Sequence, residues 1–183
     1  MTTAVHILNA SALQDRALDT LAVTVQQVFK LPVYVEHSTI DVSKTFDNSR
    51  GQYHSTMLIG HVLSNNNTKN DKWIIIVDVD LFIPVLTFVF GEAQLAGNAA
   101  VVSTYRLANQ FYGLPGNNEL LMQRLEKEVV HELGHTFGLY HCHQFECVMR
   151  SSTYVEEIDL KHVLPCSSCH ETLGQFLFQQ TTT

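Results

Sequence analysis

Cysteine is absent from the first 141 residues, and the chain of 183 residues carries its cysteines at Cys142, Cys147, Cys166 and Cys169. A basic N-terminal region followed by an apolar run is also lacking, so the sequence predicts no secretory signal. We therefore expect a cytoplasmic protein, in which thiols stay reduced. Four cysteines confined to the last quarter of such a chain indicate one local metal site rather than disulfides.

Positive charge and long apolar runs are scarce as well. Lys and Arg total 11 against 18 Asp and Glu, which gives a formal net charge of −7. This balance argues against a broad nucleic-acid-binding surface. Apolar runs such as WIIIV and FIPVLTFVF are too short to span a bilayer. We expect a monomer with no nucleic-acid or membrane partner.

The composition is that of a folded domain, with 45% hydrophobic and 16% charged residues. There is no internal repeat and no low-complexity linker. We predict a single domain over residues 1–183, with an upper part of sheet and helices at 1–138. The remainder, 139–183, is predicted to be a C-terminal part that carries the cysteines.

Hydrophobic patterning predicts an α+β fold. AVHILN and VYVEH are typical of strands, and WIIIVDVD begins with a continuous apolar run, as expected for a buried central strand. VLTFVFG and AAVVSTY are β-rich runs, and NNNTKND is a polar loop. Helices are predicted at 13–29, where Ser11 and Gln14 form a capping box, and at 52–63.

A third helix follows the turn LPGNN. Asn117 or Asn118 can cap it, and Glu119 suits the positive end of its dipole. Its apolar residues recur at steps of four and form a ridge for the core: Leu121, Leu125, Val129, Leu133 and Phe137.

On this helix, His131 and His135 stand four residues apart, about 400° of helical turn, so both imidazoles project from one face. That spacing suits two nitrogen ligands of one zinc ion. Glu132 lies beside the metal position and can accept a proton from a metal-bound water. A five-residue match of this kind is equally well explained by a helix with two surface histidines.

The match continues beyond the helix. Gly138 is suited to end it, because glycine adopts left-handed backbone conformations at little cost. The chain can then turn back and bring His141 to the same metal. Three neutral nitrogens leave one tetrahedral position open, which is the arrangement of a catalytic zinc.

The complete pattern, HExxHxxGxxHC followed by CxM and CxxC, resembles the archaemetzincins, a branch of the metzincin peptidases. The stretches VDVDLF, TFVFGEA and VVSTYRL are similar to that family too. The resemblance implies a zincin-like mixed twisted sheet with an active-site helix and a Met-turn at Met149. It also implies hydrolysis of peptide bonds through a zinc-bound water activated by Glu132. A peptide or protein substrate would lie along an edge strand near residues 90–99.

The four cysteines form C-x4-C and C-x2-C pairs, the form of a closed structural zinc site. With the catalytic ion this makes two Zn²⁺ per chain. Four unrelated buried thiols or two disulfides are the alternatives, and a nucleic-acid-binding zinc ribbon is a functional rival. The latter is opposed by the acidic balance and by the few basic residues between Cys147 and Cys166, which are Arg150 and Lys161.

Three assignments stay open at this point. His143 can in principle replace His141, but the Gly-x-x-His spacing favours His141. Asp78 and Asp80 anchor the neighbouring loop, accept a hydrogen bond from a ligand histidine, or are solvated strand-end carboxylates, and the last of these is favoured. Finally, a zinc-stabilised peptide-binding or regulatory module with little or no peptidase turnover is the alternative to an enzyme.

Overall fold

The computed structural model describes residues 3–66 and 70–180. The middle of the predicted polar loop, residues 67–69, lies outside these ranges. The strands are β1 Val5–Asn9, β2 Val33–His37, β3 Phe46–Asp47, β4 Gln52–His54, β5 Lys72–Val77, β6 Leu81–Phe82, β7 Gly91–Ala93 and β8 Ala99–Ser103. The α-helices are α1 Asp15–Phe29, α2 Ser55–Asn65, α3 Asn118–Thr136, α4 Val155–Asp159 and α5 Ser167–Gln180. Short 3-10 turns occupy Val42–Thr45 and Asn109–Tyr112.

The main sheet has five strands in the order β2-β1-β5-β8-β7. Its first four strands are parallel, and β7 pairs antiparallel with β8, so the sheet is mixed as predicted. Strand β5 lies at the centre and all six of its residues are buried. A smaller sheet has the order β3-β4-β6.

Helices cover both faces of the main sheet. Ile74 and Ile76 of β5 pack with α1 and α3 in one apolar cluster. Ile75 and Val77 pack with α2 in a second cluster on the opposite face. The alternation follows from the period of two along a strand, and it explains why β5 is apolar from Trp73 to Val77.

Two predicted helix starts differ from the structure. The helix α1 begins at Asp15 after Gln14, and the hydroxyl of Ser11 instead accepts a hydrogen bond from the backbone of Leu13, so the capping box is wrong. The helix predicted at 52–63 begins only at Ser55, because Tyr53 pairs with Leu81 of β6. A strand partner distant in sequence overrides the local helical pattern here.

The C-terminal part contains more regular structure than its sequence indicates, namely α4 and α5. Leu173 of α5 and Ile158 of α4 join the apolar cluster that contains α1 and α3. Within the described ranges, no helix combines the length and apolarity needed to cross a membrane.

Candidate active site

The helix α3 begins and ends as its sequence predicts. The Asn117 side chain accepts a hydrogen bond from the Leu120 amide at 3.0 Å, and Glu119 lies in the first turn. Gly138 has φ +91°, and the Leu139 amide bonds back to the Gly134 carbonyl at 3.0 Å. This left-handed turn reverses the chain and brings the segment after Gly138 beside the helix.

The three predicted histidines converge on one point. Their nearest ring nitrogens lie within 4.8 Å of one another in the group His131, His135 and His141. Nδ1 of His131 donates to the Val148 carbonyl at 2.8 Å, and Nδ1 of His135 donates to the Leu139 carbonyl at 2.7 Å. A carbonyl oxygen can only accept, so the neutral rings carry their protons on Nδ1 and leave Nε2 bare.

This arrangement fits a cation. Nε2 of His131 and Nε2 of His135 are 3.1 Å apart, although neither carries a proton to share. Two nitrogens bound tetrahedrally to one zinc are about 3.3–3.4 Å apart. Burial lowers the pKa of all three imidazoles, that of His131 most, and the nearby charge of Lys161 lowers them further. The rings are thus held in the neutral form that binds metal.

Glu132 lies next to the histidine cluster and outside it. Its residue is 6% exposed and lines the same cleft as His131 and His141. Burial raises the pKa of this carboxyl well above its ordinary value, and the charges of Glu128 and Glu92 raise it further. Such a group takes up a proton near neutral pH more readily than an exposed glutamate.

Gly91 of β7 lies against Glu132. A Cβ atom at this position would come within 2.7 Å of Glu132 Cγ and of the Val101 carbonyl oxygen. Only glycine allows the strand and the helix to approach this closely.

Met149 lies beneath the histidine cluster and is completely buried. Its sulfur packs against Gly134 of α3, between two ligand histidines, at 2.5 Å from the position that a Cβ of Gly134 would take. The Met149 carbonyl accepts a hydrogen bond from the Cys142 amide at 2.9 Å. The turn around Met149 is therefore connected both to α3 and to the first cysteine.

The four cysteines form a second group. Their sulfur atoms lie within 4.8 Å of one another, and Sγ of Cys142 is 3.8 Å from Sγ of Cys166. All four are free thiols, so the disulfide alternative is not what the structure contains. Sulfurs bound tetrahedrally to one zinc are about 3.8 Å apart. The Cys169 amide lowers the pKa of the Cys166 thiol to about 7, whereas burial raises the pKa of the Cys147 and Cys169 thiols, so Cys166 ionises more readily than these two.

The remaining candidates stand apart from both groups. His143 is exposed and belongs to neither. Asp80 forms a two-pronged ion pair with Arg106 at 2.5 and 2.7 Å, and Asp78 accepts a hydrogen bond from the Ala12 amide. Neither carboxylate bonds to a ligand histidine, because backbone carbonyls take that role.

Sequence reasoning missed a set of buried charges around α3. Arg124 bonds Asp159 of α4 through two contacts of 2.7 Å, and Glu128 faces Lys161 at 3.5 Å. Arg124 and Glu128 precede His131 by seven and three positions, so they continue its polar stripe along the helix. That periodicity was a usable signal, whereas nothing in the local sequence marks Lys161.

A cleft of about 330 Å³ opens beside the histidines. One wall is residues 86–91, which lead into β7, and the other is residues 151–153, which follow the Met149 turn. His131, Glu132, His141 and Glu128 line its base. The hydroxyl group of Ser152, in the second wall, is buried and has no hydrogen-bond partner in the described ranges.

Three converging imidazoles, an adjacent buried glutamate and a methionine turn below them define a zinc metallopeptidase of the metzincin type. The profile of peptidase family M54 matches residues 10–175, and the chain belongs to that family.

Its relatives are archaemetzincins. The archaemetzincin of Methanocaldococcus jannaschii is 42% identical over 125 residues, which are 68% of this chain and 68% of that protein. The crystal structure of archaemetzincin from Methanopyrus kandleri matches with a TM-score of 0.83 and 30% identity, covering 97% of this chain and 96% of that one. The archaemetzincin of Archaeoglobus fulgidus, solved with malonate, matches with a TM-score of 0.77 and 33% identity, covering 93% and 99%.

Proposed function

We propose that this zinc metallopeptidase cleaves peptide bonds at the cluster of His131, His135 and His141, with Glu132 as the proton carrier. One observation carries the proposal. The Nδ1 atoms of His131 and His135 are engaged by backbone carbonyls, and bare Nε2 atoms converge beside a buried carboxylate in an open cleft.

The donor set suits a catalytic zinc, because three neutral nitrogens leave a coordination position for a further ligand. Zinc held there supplies a Lewis acid that polarises a carbonyl group and lowers the pKa of a water molecule to about 7. The four cysteine sulfurs suit a second, structural zinc with no open position. We therefore propose two Zn²⁺ ions per chain.

Glu132 moves the proton. Its carboxylate accepts a proton from the attacking water as the water oxygen bonds to the substrate carbonyl carbon. It then returns that proton to the nitrogen of the departing amine as the carbon–nitrogen bond breaks. Burial raises the pKa of Glu132, and a higher pKa makes its carboxylate a better proton acceptor in the first step.

The substrate lies along β7 in this proposal. This strand is an open edge of the main sheet, since it pairs only with β8. The carbonyl of Phe90 and the amide of Gln94 bond to β8, at 2.9 and 3.0 Å. By alternation, the backbone groups of Gly91 and Ala93 face away from β8, toward the position of an added peptide strand.

We propose that the chain works as one domain and as a monomer on peptides or proteins. One apolar cluster contains residues from both 1–138 and 139–183, which supports a single unit. The net charge of −7 supports a peptide rather than a nucleic acid as the ligand.

A peptide-library cleavage assay tests the function. We compare the zinc-loaded wild type with Glu132→Ala and with a control, Glu126→Ala, on the same helix but outside the cleft lining. Cleavage by the wild type and the control, and its loss in Glu132→Ala, supports the proposal. Equal cleavage by all three proteins refutes the role of Glu132, and cleavage by none favours the binding-module alternative.

Metal analysis tests the two sites independently of turnover. We expect two zinc ions per chain, one removed readily by a chelator and one held tightly. A single zinc ion, combined with folded Cys→Ser variants, would contradict the second site.

A further inference from the structure

Lys161 is a buried charge that the reaction does not use. It follows α4, and its side chain is 1% exposed. Its ammonium group lies 2.7 Å from the Arg150 carbonyl oxygen, 3.5 Å from the Val148 carbonyl oxygen and 3.5 Å from Glu128 Oε1. An ammonium group has three donors, so its capacity matches these three acceptors.

Two of these acceptors flank Met149. The Val148 carbonyl, on one side, also accepts the Nδ1 proton of His131 at 2.8 Å. The carbonyl of Met149 itself accepts the amide proton of Cys142 at 2.9 Å. Three consecutive carbonyls, at residues 148–150, are therefore oriented by a metal-binding histidine, a cysteine of the second cluster and Lys161.

The backbone that carries Lys161 is anchored to α3. Asp159 of α4 holds Arg124 of α3 through two contacts of 2.7 Å. Lys127 of α3 donates to the carbonyls of Ile158 and Asp159, each at 3.1 Å. The lysine thus connects a fixed point on the helix with the turn that faces His131.

We propose that Lys161 is a positioning residue for the catalytic metal site, because it holds the Val148–Arg150 turn so that the Val148 carbonyl orients the ring of His131. Groups that orient a ligand histidine contribute about 10–100-fold to metal affinity. The inference rests on the proposed metal site. It concerns how the ligand is held, and not whether peptides are cleaved.

A charge-only role makes the opposite prediction. A lone positive charge near three metal ligands repels a divalent cation, so its removal should tighten zinc binding. A positioning role requires that removal weakens zinc binding. The sign of the change therefore distinguishes the two.

The experiment measures zinc affinity at the histidine site by competition with a chromogenic chelator. The signal of that site is identified by its loss in His141→Ala. We compare the wild type with Lys161→Met, and with the double variant Glu128→Gln/Lys161→Met. The double variant keeps the net charge and leaves no uncompensated buried ion, so it remains informative if the single variant does not fold.

We expect about tenfold or greater weakening in both variants. Wild-type or tighter affinity in the double variant overturns the proposal, whatever the single variant does. Lys72→Met is the matched control, since it removes another buried lysine that donates to a backbone carbonyl, that of Gly97, and that lies outside the contacts between α3, α4 and residues 148–150; we expect affinity within about twofold of the wild type. An equal loss in this control would assign the effect to general loosening and would also overturn the proposal. Absence of zinc from the wild-type histidine site would instead refute the proposed function, so the two failures are distinguishable.

Discussion

Replacing Gly91 with alanine should disturb the site through a single methyl group. The added Cβ would stand 2.7 Å from Glu132 Cγ and 2.7 Å from the Val101 carbonyl oxygen. The separation from Glu132 Cγ is about 0.8 Å shorter than the optimum of roughly 3.5 Å for two non-bonded carbon atoms, and the separation from the Val101 oxygen is also too short for an unstrained contact. The Val101 oxygen belongs to β8 and cannot move without disturbing the sheet, so the strain falls on Glu132 and on β7.

The size of the effect follows from this overlap. Forcing an additional carbon into a packed region costs about 1–3 kcal/mol. For a chain of this length, each kcal/mol lowers the melting temperature by about 2–4 °C. A displacement approaching 1 Å at a proton-transfer group lowers turnover by about 100-fold. We therefore expect Gly91→Ala to fold, to melt earlier and to lose most of its peptidase activity.

The assay combines thermal unfolding with cleavage of the best peptide from the library. Gly60→Ala is the matched control, because a Cβ at Gly60 meets no atom within 4 Å and the residue lies inside α2. That variant should be stabilised by about 0.5–1 kcal/mol and keep wild-type activity. Wild-type activity in Gly91→Ala would refute the close contact between β7 and Glu132.

Three further predictions concern the metal sites, the buried acid and the turn after α3. Cys142→Ser should weaken zinc binding at the histidine site by about tenfold, since loss of this sulfur from the cysteine group loosens the backbone that follows His141 and bonds the Met149 carbonyl; a competition titration showing unchanged affinity there rules out coupling between the sites. In metal-free protein, Glu132→Gln should raise the free energy of unfolding at pH 7, because the raised pKa of Glu132 means that the fold disfavours its charged form. This gain should shrink as the pH falls toward the ordinary value of 4.5, and urea unfolding that shows a constant gain would contradict it. Gly138→Ala should cost about 1–3 kcal/mol from backbone strain at φ +91°. Gly51→Ala is the comparison, because Gly51 has φ +66° but a Cβ there would meet no neighbour within 4 Å. A Cβ at Gly138 would meet Phe176 at 3.0 Å, so Gly138→Ala should cost more. Equal melting temperatures of the two variants would refute the contact.

The histidine site was predictable because its geometry is local. His131 and His135 lie on one helix, and Gly138 reverses the chain toward His141 within a few residues. Helical periodicity and one glycine conformation are enough to bring these side chains together. The cysteine group was predictable for a similar reason. The two cysteines of each pair are close in sequence, and only the two pairs are distant from each other.

The supporting contacts were not predictable, because they join segments distant in sequence. The proton acceptor of His131 is the backbone carbonyl of Val148. Every residue has such a carbonyl, so no sequence pattern can indicate which one accepts. Lys161 reaches the same turn from the end of α4. The strand at Tyr53 was missed because its partner, Leu81, is set by sheet pairing and not by the local pattern.

The edge strand β7 has a further consequence for how the molecule behaves in a crowded solution. An open sheet edge is a template for pairing with the sheet of another molecule, which leads to aggregation. β7 is three residues long, and by alternation it offers outward backbone groups at Gly91 and Ala93 alone. This is sufficient to align a peptide beside Glu132, but too short to support a continuous ladder between two copies. The length of β7 thus limits self-association through this edge while leaving the edge open to substrate.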